Sequence, residues 1–131
     1  MQENDIAKQV VDAAYQVHVS LGPGLLESVY EAALEYELTS RGMAVSRQTS
    51  IPITYKGIDL GEGFKADLII EDLVILELKS VEAVAPVHTK QLLTYLRLTN
   101  RKLGPLINFG ARRIKDGITR AASGMKEKGE E

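Results

Sequence analysis

Fifteen residues in the middle of the chain, KADLIIEDLVILELK at positions 65–79, limit the folds open to it more than any other segment. Two runs rich in Leu, Ile and Val flank Glu71-Asp72, the signature of two strands, 64–70 and 73–79, joined by a short turn. A loop centred on Asp72 sets Asp67 opposite Glu77, Lys65 opposite Lys79 and Ile69 opposite Ile75. Alternation then puts Ala66, Leu68, Ile70, Val74, Leu76 and Leu78 on one wholly apolar face, which has to be core. The opposite face is apolar beside the turn, with Ile69 and Ile75, and charged farther out, with Lys65, Asp67, Glu77 and Lys79.

The flanking sequence supplies elements to cover such a hairpin. Ile6, Val10, Val11, Ala14, Val17 and Leu21 recur at helical spacing, which predicts an amphipathic helix over 4–20, stopped by Gly22-Pro23-Gly24. A second helix is expected over 25–40, ending at Arg41-Gly42. Residues 43–50 and 51–55 read as strand, Lys56-Gly57 as a turn, 58–60 as strand and Gly61-Glu62-Gly63 as a break. After the hairpin, Pro86 opens a third helix running to about residue 100. A strand follows over 106–109, ended by Gly110; residues 111–122 read as a short strand and then a helical turn. The expected whole is one domain over 1–122, an α/β fold with a mixed central sheet flanked by helices, and a charged, frayed tail over 123–131.

Composition excludes several chemistries. There is no cysteine, so disulfides, thiolate zinc sites and cysteine nucleophiles are out, and a reducing cytoplasm is the expected setting. No signal peptide is recognisable at the N-terminus, and no apolar run approaches the roughly 20 residues that span a bilayer, so no membrane partner is expected. Two histidines cannot build a histidine-rich metal site; His18 reads as structural, and His88 either borders the third helix's functional face or lies on the surface. Gly61-Glu62-Gly63 lacks the context of a phosphate-binding loop. Charge is uneven: residues 1–85 hold 6 Lys/Arg against 14 Asp/Glu, whereas 86–122 hold 8 Lys/Arg and one acid, Asp116. The basic half either pairs with the acidic half or meets phosphates.

Opposed residues in a hairpin have Cβ atoms about 4.5–5.5 Å apart. Two carboxylates at that separation repel; the pair answers by raising one pKa or by recruiting a cation. Oxygen-only donors suit Mg²⁺, with Mn²⁺ as the substitute, and Lys79 shares the strand side of Glu77, beside such an ion. The same spacing also fits an exposed ion network in which Asp67 and Glu77 are shared between Lys65 and Lys79.

Asp67 followed across a hairpin by Glu77-Leu78-Lys79 resembles the active site of the PD-(D/E)XK nuclease superfamily, with Ala66 where the superfamily name expects proline. Gly24, Glu27 and Tyr30 match G-x-x-E-x-x-Y, the signature of a family within it, and Gln91 with Tyr95 resembles the Q-x-x-x-Y helix of its recombination-nuclease branch. The resemblance runs from about residue 6 to 122 and includes Leu106 to Gly110 as a closing strand. It implies a restriction-endonuclease-like core in which Asp67 and Glu77 hold Mg²⁺, Glu27 adds a further acidic ligand, Lys79 orients water and Gln91 completes the shell. Glu27 also sits in a helix's first turn, where a carboxylate favours the positive dipole end.

Tyr30, Tyr95, Arg112 and Arg113 are the candidate substrate contacts. The implied function is hydrolysis of phosphodiester bonds in nucleic acid, DNA favoured over RNA, with a homodimer or two binding events needed for two-strand cleavage. Two other readings stand beside it: a catalytically silent nucleic-acid-binding or protein-interaction module that kept the fold, and an unrelated α/β domain with a charged hairpin.

Overall fold

The computed structural model describes residues 1–124. Two helices come first, α1 (Glu3–Leu21) and α2 (Glu27–Ser40), then strands β1 (Val45–Tyr55), β2 (Ile58–Ile70) and β3 (Val74–Lys79). Helix α3 (Pro86–Leu98) leads to β4 (Leu103–Asn108), and a 3₁₀ turn (Ile114–Gly117) precedes β5 (Ile118–Ala122). The sheet order is β1-β2-β3-β4-β5. All neighbours are antiparallel except β3 and β4, which run parallel. That parallel step needs a crossover, and α3 provides it. No helix of the described residues is long and apolar enough to cross a membrane. The expected α/β architecture is therefore present, and the tail from residue 125 onward lies outside the described residues.

The sheet is covered on both faces. The apolar stripes of α1 and α2 (Ile6, Val10, Val17, Leu34, Leu38) bury Leu68, Ile70, Val74, Leu76 and Leu78. On the other side α3 lays Leu92 and Leu96 over Phe64, Ile69, Ile75 and Leu106. This explains why the central strands are apolar on both sides near the turn. Ala66 corrects the alternation drawn from sequence: it packs with the α3 side rather than with Leu68. At that level β1 leaves extended geometry at Gln48, φ 50°, so strict alternation does not carry through.

Two element assignments also change. Residues 58–60 and 64–70 form one strand, because Gly61-Glu62-Gly63 bends the strand without ending it. The register with β1 shifts around Pro52, and Gly63 has no Cβ because the Ile53 side chain occupies that space. Over 111–122 the turn precedes the strand rather than following it; β5 closes the sheet against β4, a partner that local pattern cannot reveal.

The end of β3 is tied to the end of β4 by one buried side chain. Asn108 Oδ1 accepts the N–H groups of Val81 (3.0 Å) and Gly110 (2.9 Å), and Nδ2 donates to Val81 O (2.9 Å). Replacing Asn108 by Ala strands these groups, so Asn108→Ala is expected to lose about 1–3 kcal/mol for each buried group left unpaired, read as a lower urea midpoint. An unchanged midpoint would show that the clasp contributes nothing.

Candidate active site

The β2–β3 hairpin turns on Glu71 and Asp72, both at φ 54°, with Leu73 N–H bonded to Ile70 O at 3.0 Å. Its register pairs Leu68 with Leu76, Ile69 with Ile75 and Ile70 with Val74, the alignment expected from sequence. The ladder stops there. Beyond it β2 continues along β1 and β3 along β4, so the pairing forks at the level of Asp67 and Glu77. Side chains take over: Asp67 Oδ2 accepts the Leu78 N–H at 2.8 Å, and the Asp67 N–H meets Glu77 Oε1 at 3.4 Å.

The electrostatics of this fork are unfavourable for two anions. The Glu77 carboxyl is pushed up to about 9, first by burial, then by the negative charge of Asp67 and a side-chain hydrogen bond to it; the Lys79 charge lowers it only in part. Lys79 and Lys65 form no ion pair among the described residues, so the shared cross-strand ion network is not built. The two carboxyl groups thus face each other, and among the described residues no lysine or arginine forms an ion pair with either. Two oxygen donors of this kind fit a hard divalent ion.

Tyr95 borders the pair from α3. Its ring stacks on Phe64, centroids 3.8 Å apart and 5° from parallel. Its hydroxyl pKa is raised by burial and by the charges of Glu77 and Asp67. Glu27 is exposed at the start of α2, near the end of β3, where Ser80 Oγ donates to Leu25 O at 2.6 Å. Among the described residues no three acidic or histidine side chains converge into a metal set, so Glu27 is not brought together with Asp67 and Glu77.

A family model described as the PD-(D/E)XK nuclease superfamily matches residues 4–121. The chain belongs to the PD-(D/E)XK nuclease superfamily. No curated protein and no solved structure matches it.

In this PD-(D/E)XK domain the remaining candidates divide. Tyr30 corrects its reading as a substrate contact: it is fully buried, its ring stacks on Phe109 at 4.4 Å, and its hydroxyl donates to Gly22 O (2.6 Å) and accepts from Leu25 N–H (3.1 Å). It clamps the α1–α2 connection. Gln91 is exposed one turn before Tyr95, and its side chain makes no hydrogen bond among the described residues. Arg112 and Arg113 are exposed on the loop after β4, with Arg113 paired to Asp116 at 3.0 Å. That loop is seated at the Lys79 end of the sheet: Phe109 N–H bonds Lys79 O at 2.8 Å, and Gly110 packs against the Val81 backbone too closely for a Cβ. His18, buried as expected, makes a 2.9 Å hydrogen bond between Nε2 and Ala111 O.

Two polar residues at the site escaped the sequence reading. Glu31, 5% exposed, accepts from Arg47 Nε (2.6 Å) and Gln48 Nε2 (2.8 Å), and Gln48 Nε2 also reaches Asp67 Oδ1 at 3.2 Å. The available signal was an acid inside the apolar stripe Tyr30, Leu34, Leu38 of α2.

Two outcomes follow from this geometry. Because the folded state holds a proton on Glu77 that the unfolded chain releases near pH 4.5, stability of the metal-free protein falls as pH rises from about 4.5 to about 9. Melting curves across that range should show the decline, and Glu77→Gln should flatten it; a parallel decline in the variant would remove Glu77 as the cause. Tyr30→Phe should cost about 1–2 kcal/mol of unfolding free energy for its two hydrogen bonds and leave metal affinity unchanged, measured by denaturation and calorimetry.

Proposed function

We propose that this superfamily member hydrolyses phosphodiester bonds in nucleic acid with Mg²⁺, or Mn²⁺ in its place, held by Asp67 and Glu77. The observation that carries the reading is the fork itself: two carboxylates face each other where the β2–β3 ladder ends, one of them raised to about 9, with a lysine two residues along the same strand. Relief of that repulsion by a divalent cation is the physical reason for the metal assignment. When bound, such an ion lowers the pKa of water and polarises the phosphate.

The chain's own residues do the rest. Lys79 orients the attacking water and offers positive charge to the phosphate oxygens. Tyr95, half-buried on its Phe64 platform, contacts the substrate beside the carboxylates. Arg112 and Arg113 grip the phosphate backbone from the loop seated at the Lys79 end of the sheet. Gln91, on the Tyr95 side of α3, joins the water shell when substrate and ion are present. Gly24, Glu27 and Tyr30 support membership of the G-x-x-E-x-x-Y group, and in this reading Glu27 contributes through water. The likeness of Q-x-x-x-Y to recombination nucleases favours DNA over RNA; two-strand cleavage would use a homodimer. A cytoplasmic setting fits a cysteine-free chain acting on nucleic acid.

A catalytically silent nucleic-acid-binding or protein-interaction module is the second reading, favoured by the separation of Glu27 from the other two acids. One experiment divides them. Single-stranded, double-stranded and branched DNA and RNA are incubated with Mg²⁺ or Mn²⁺ and the wild type, Asp67→Asn, Glu77→Gln or Lys79→Ala. We expect cleavage by the wild type, a loss of about 10²–10³-fold for Lys79→Ala, and a weakened metal response for both acid variants. Equal signals from all four proteins would reject the nuclease reading on those substrates.

A further inference from the structure

Gln48 is placed as no other non-glycine residue of the described sheet is. Among the described residues, non-glycine positions with positive φ are Lys56, Glu71, Asp72 and Asn100, in turns or just past a helix, and Gln48, which lies inside β1 at φ 50°. The pairs Arg47–Leu68 and Thr49–Ala66 flank it, so it stands opposite Asp67 without pairing in the ladder. A left-handed residue in mid-strand is costly, persists only where its surroundings over-determine it, and clusters at working sites.

The surroundings here are polar and specific. The Gln48 amide donates to Glu31 Oε2 at 2.8 Å and to Asp67 Oδ1 at 3.2 Å. Glu31 is buried and is also bound by Arg47 Nε at 2.6 Å; Arg47 extends to Glu35 at 3.7 Å. The neighbouring guanidinium is thereby held by α2 carboxylates, and a neutral amide is what reaches Asp67. A cation in that place would form an ion pair with Asp67 and compete with a metal for its charge. An amide fixes the carboxylate without neutralising it. With Oδ1 held by Gln48 and Oδ2 by the Leu78 N–H, the plane of the Asp67 carboxylate is set, and each oxygen keeps lone-pair capacity for another partner.

We propose that Gln48 is a positioning residue: its left-handed backbone aims an uncharged amide that orients Asp67 toward a divalent cation. The proposal rests on the reading of Asp67 and Glu77 as cation ligands. Partners that orient metal ligands typically change affinity by about 10–100-fold when removed.

The test needs no substrate. Mn²⁺ binding is titrated calorimetrically on the wild type, D67N, Q48G, Q48A and Q48M, with melting temperatures measured in parallel. Q48M keeps the length of the side chain and removes both donors. All three Gln48 variants should bind Mn²⁺ about 10–100-fold more weakly. Q48G should melt a few degrees above Q48A, since both lose the amide but only alanine meets the left-handed penalty. Wild-type affinity in the Gln48 variants beside a loss in D67N would overturn the role of Gln48 and leave the carboxylate site standing. Equal melting of Q48G and Q48A would overturn the conformational device. Wild-type affinity in D67N would remove the two-carboxylate site, and Gln48's task with it.

Discussion

Where β2 and β3 cease to pair, the carboxylate of Asp67 accepts the Leu78 N–H at 2.8 Å, standing in for the carbonyl that a continued ladder would supply. Much of the site follows from that exchange. A ladder running on would have tied Asp67 and Glu77 into an ordinary cross-strand pair. Ending it there lets β2 follow β1 and β3 follow β4 while the two acids still face each other. Burial of Glu77 beside Asp67 is an electrostatic cost that the flanking apolar layers have to offset, since a partly buried carboxylate near a like charge is destabilised in its ionised form.

The parallel β3–β4 step organises everything around the fork. Parallel neighbours require a crossover, so α3 packs on the face opposite α1 and α2 and carries Tyr95 beside the acids. The strands' C-terminal ends, joined by Asn108 and Val81, support the loop with Arg112 and Arg113. In open α/β sheets this edge is where ligands gather. On the other face α2 reaches the same fork through Glu31 and Gln48. The site is thus approached by residues from β1, β2, β3, α2 and α3, built on rigid elements rather than on one loop.

The residues of the G-x-x-E-x-x-Y pattern lie in different surroundings in the folded chain. Tyr30, within the G-x-x-E-x-x-Y pattern, locks the α1–α2 connection and stacks on Phe109. Glu27, three residues earlier on the same helix, is exposed at the helix start. The helix residue that reaches Asp67, through Gln48, is Glu31. Motif spacing places residues on a helix face, but it does not say how the face is rotated against the sheet.

From the residues alone, the hairpin register, the facing of Asp67 and Glu77, the three helices and the α/β class were legible, because period-2 and helical apolar patterns and turn residues act over a few positions. Gly61-Glu62-Gly63 read as a break and instead continues a strand, since a sheet neighbour with a shifted register can hold an irregular strand together. The order within 111–122, the burial of Tyr30, the side on which Ala66 packs and the bridge from Glu31 through Gln48 to Asp67 were decided only in the folded chain. Each depends on contacts between segments distant in sequence, where the rotation of a helix or the partner of a strand is set by packing, and a local pattern carries no record of it.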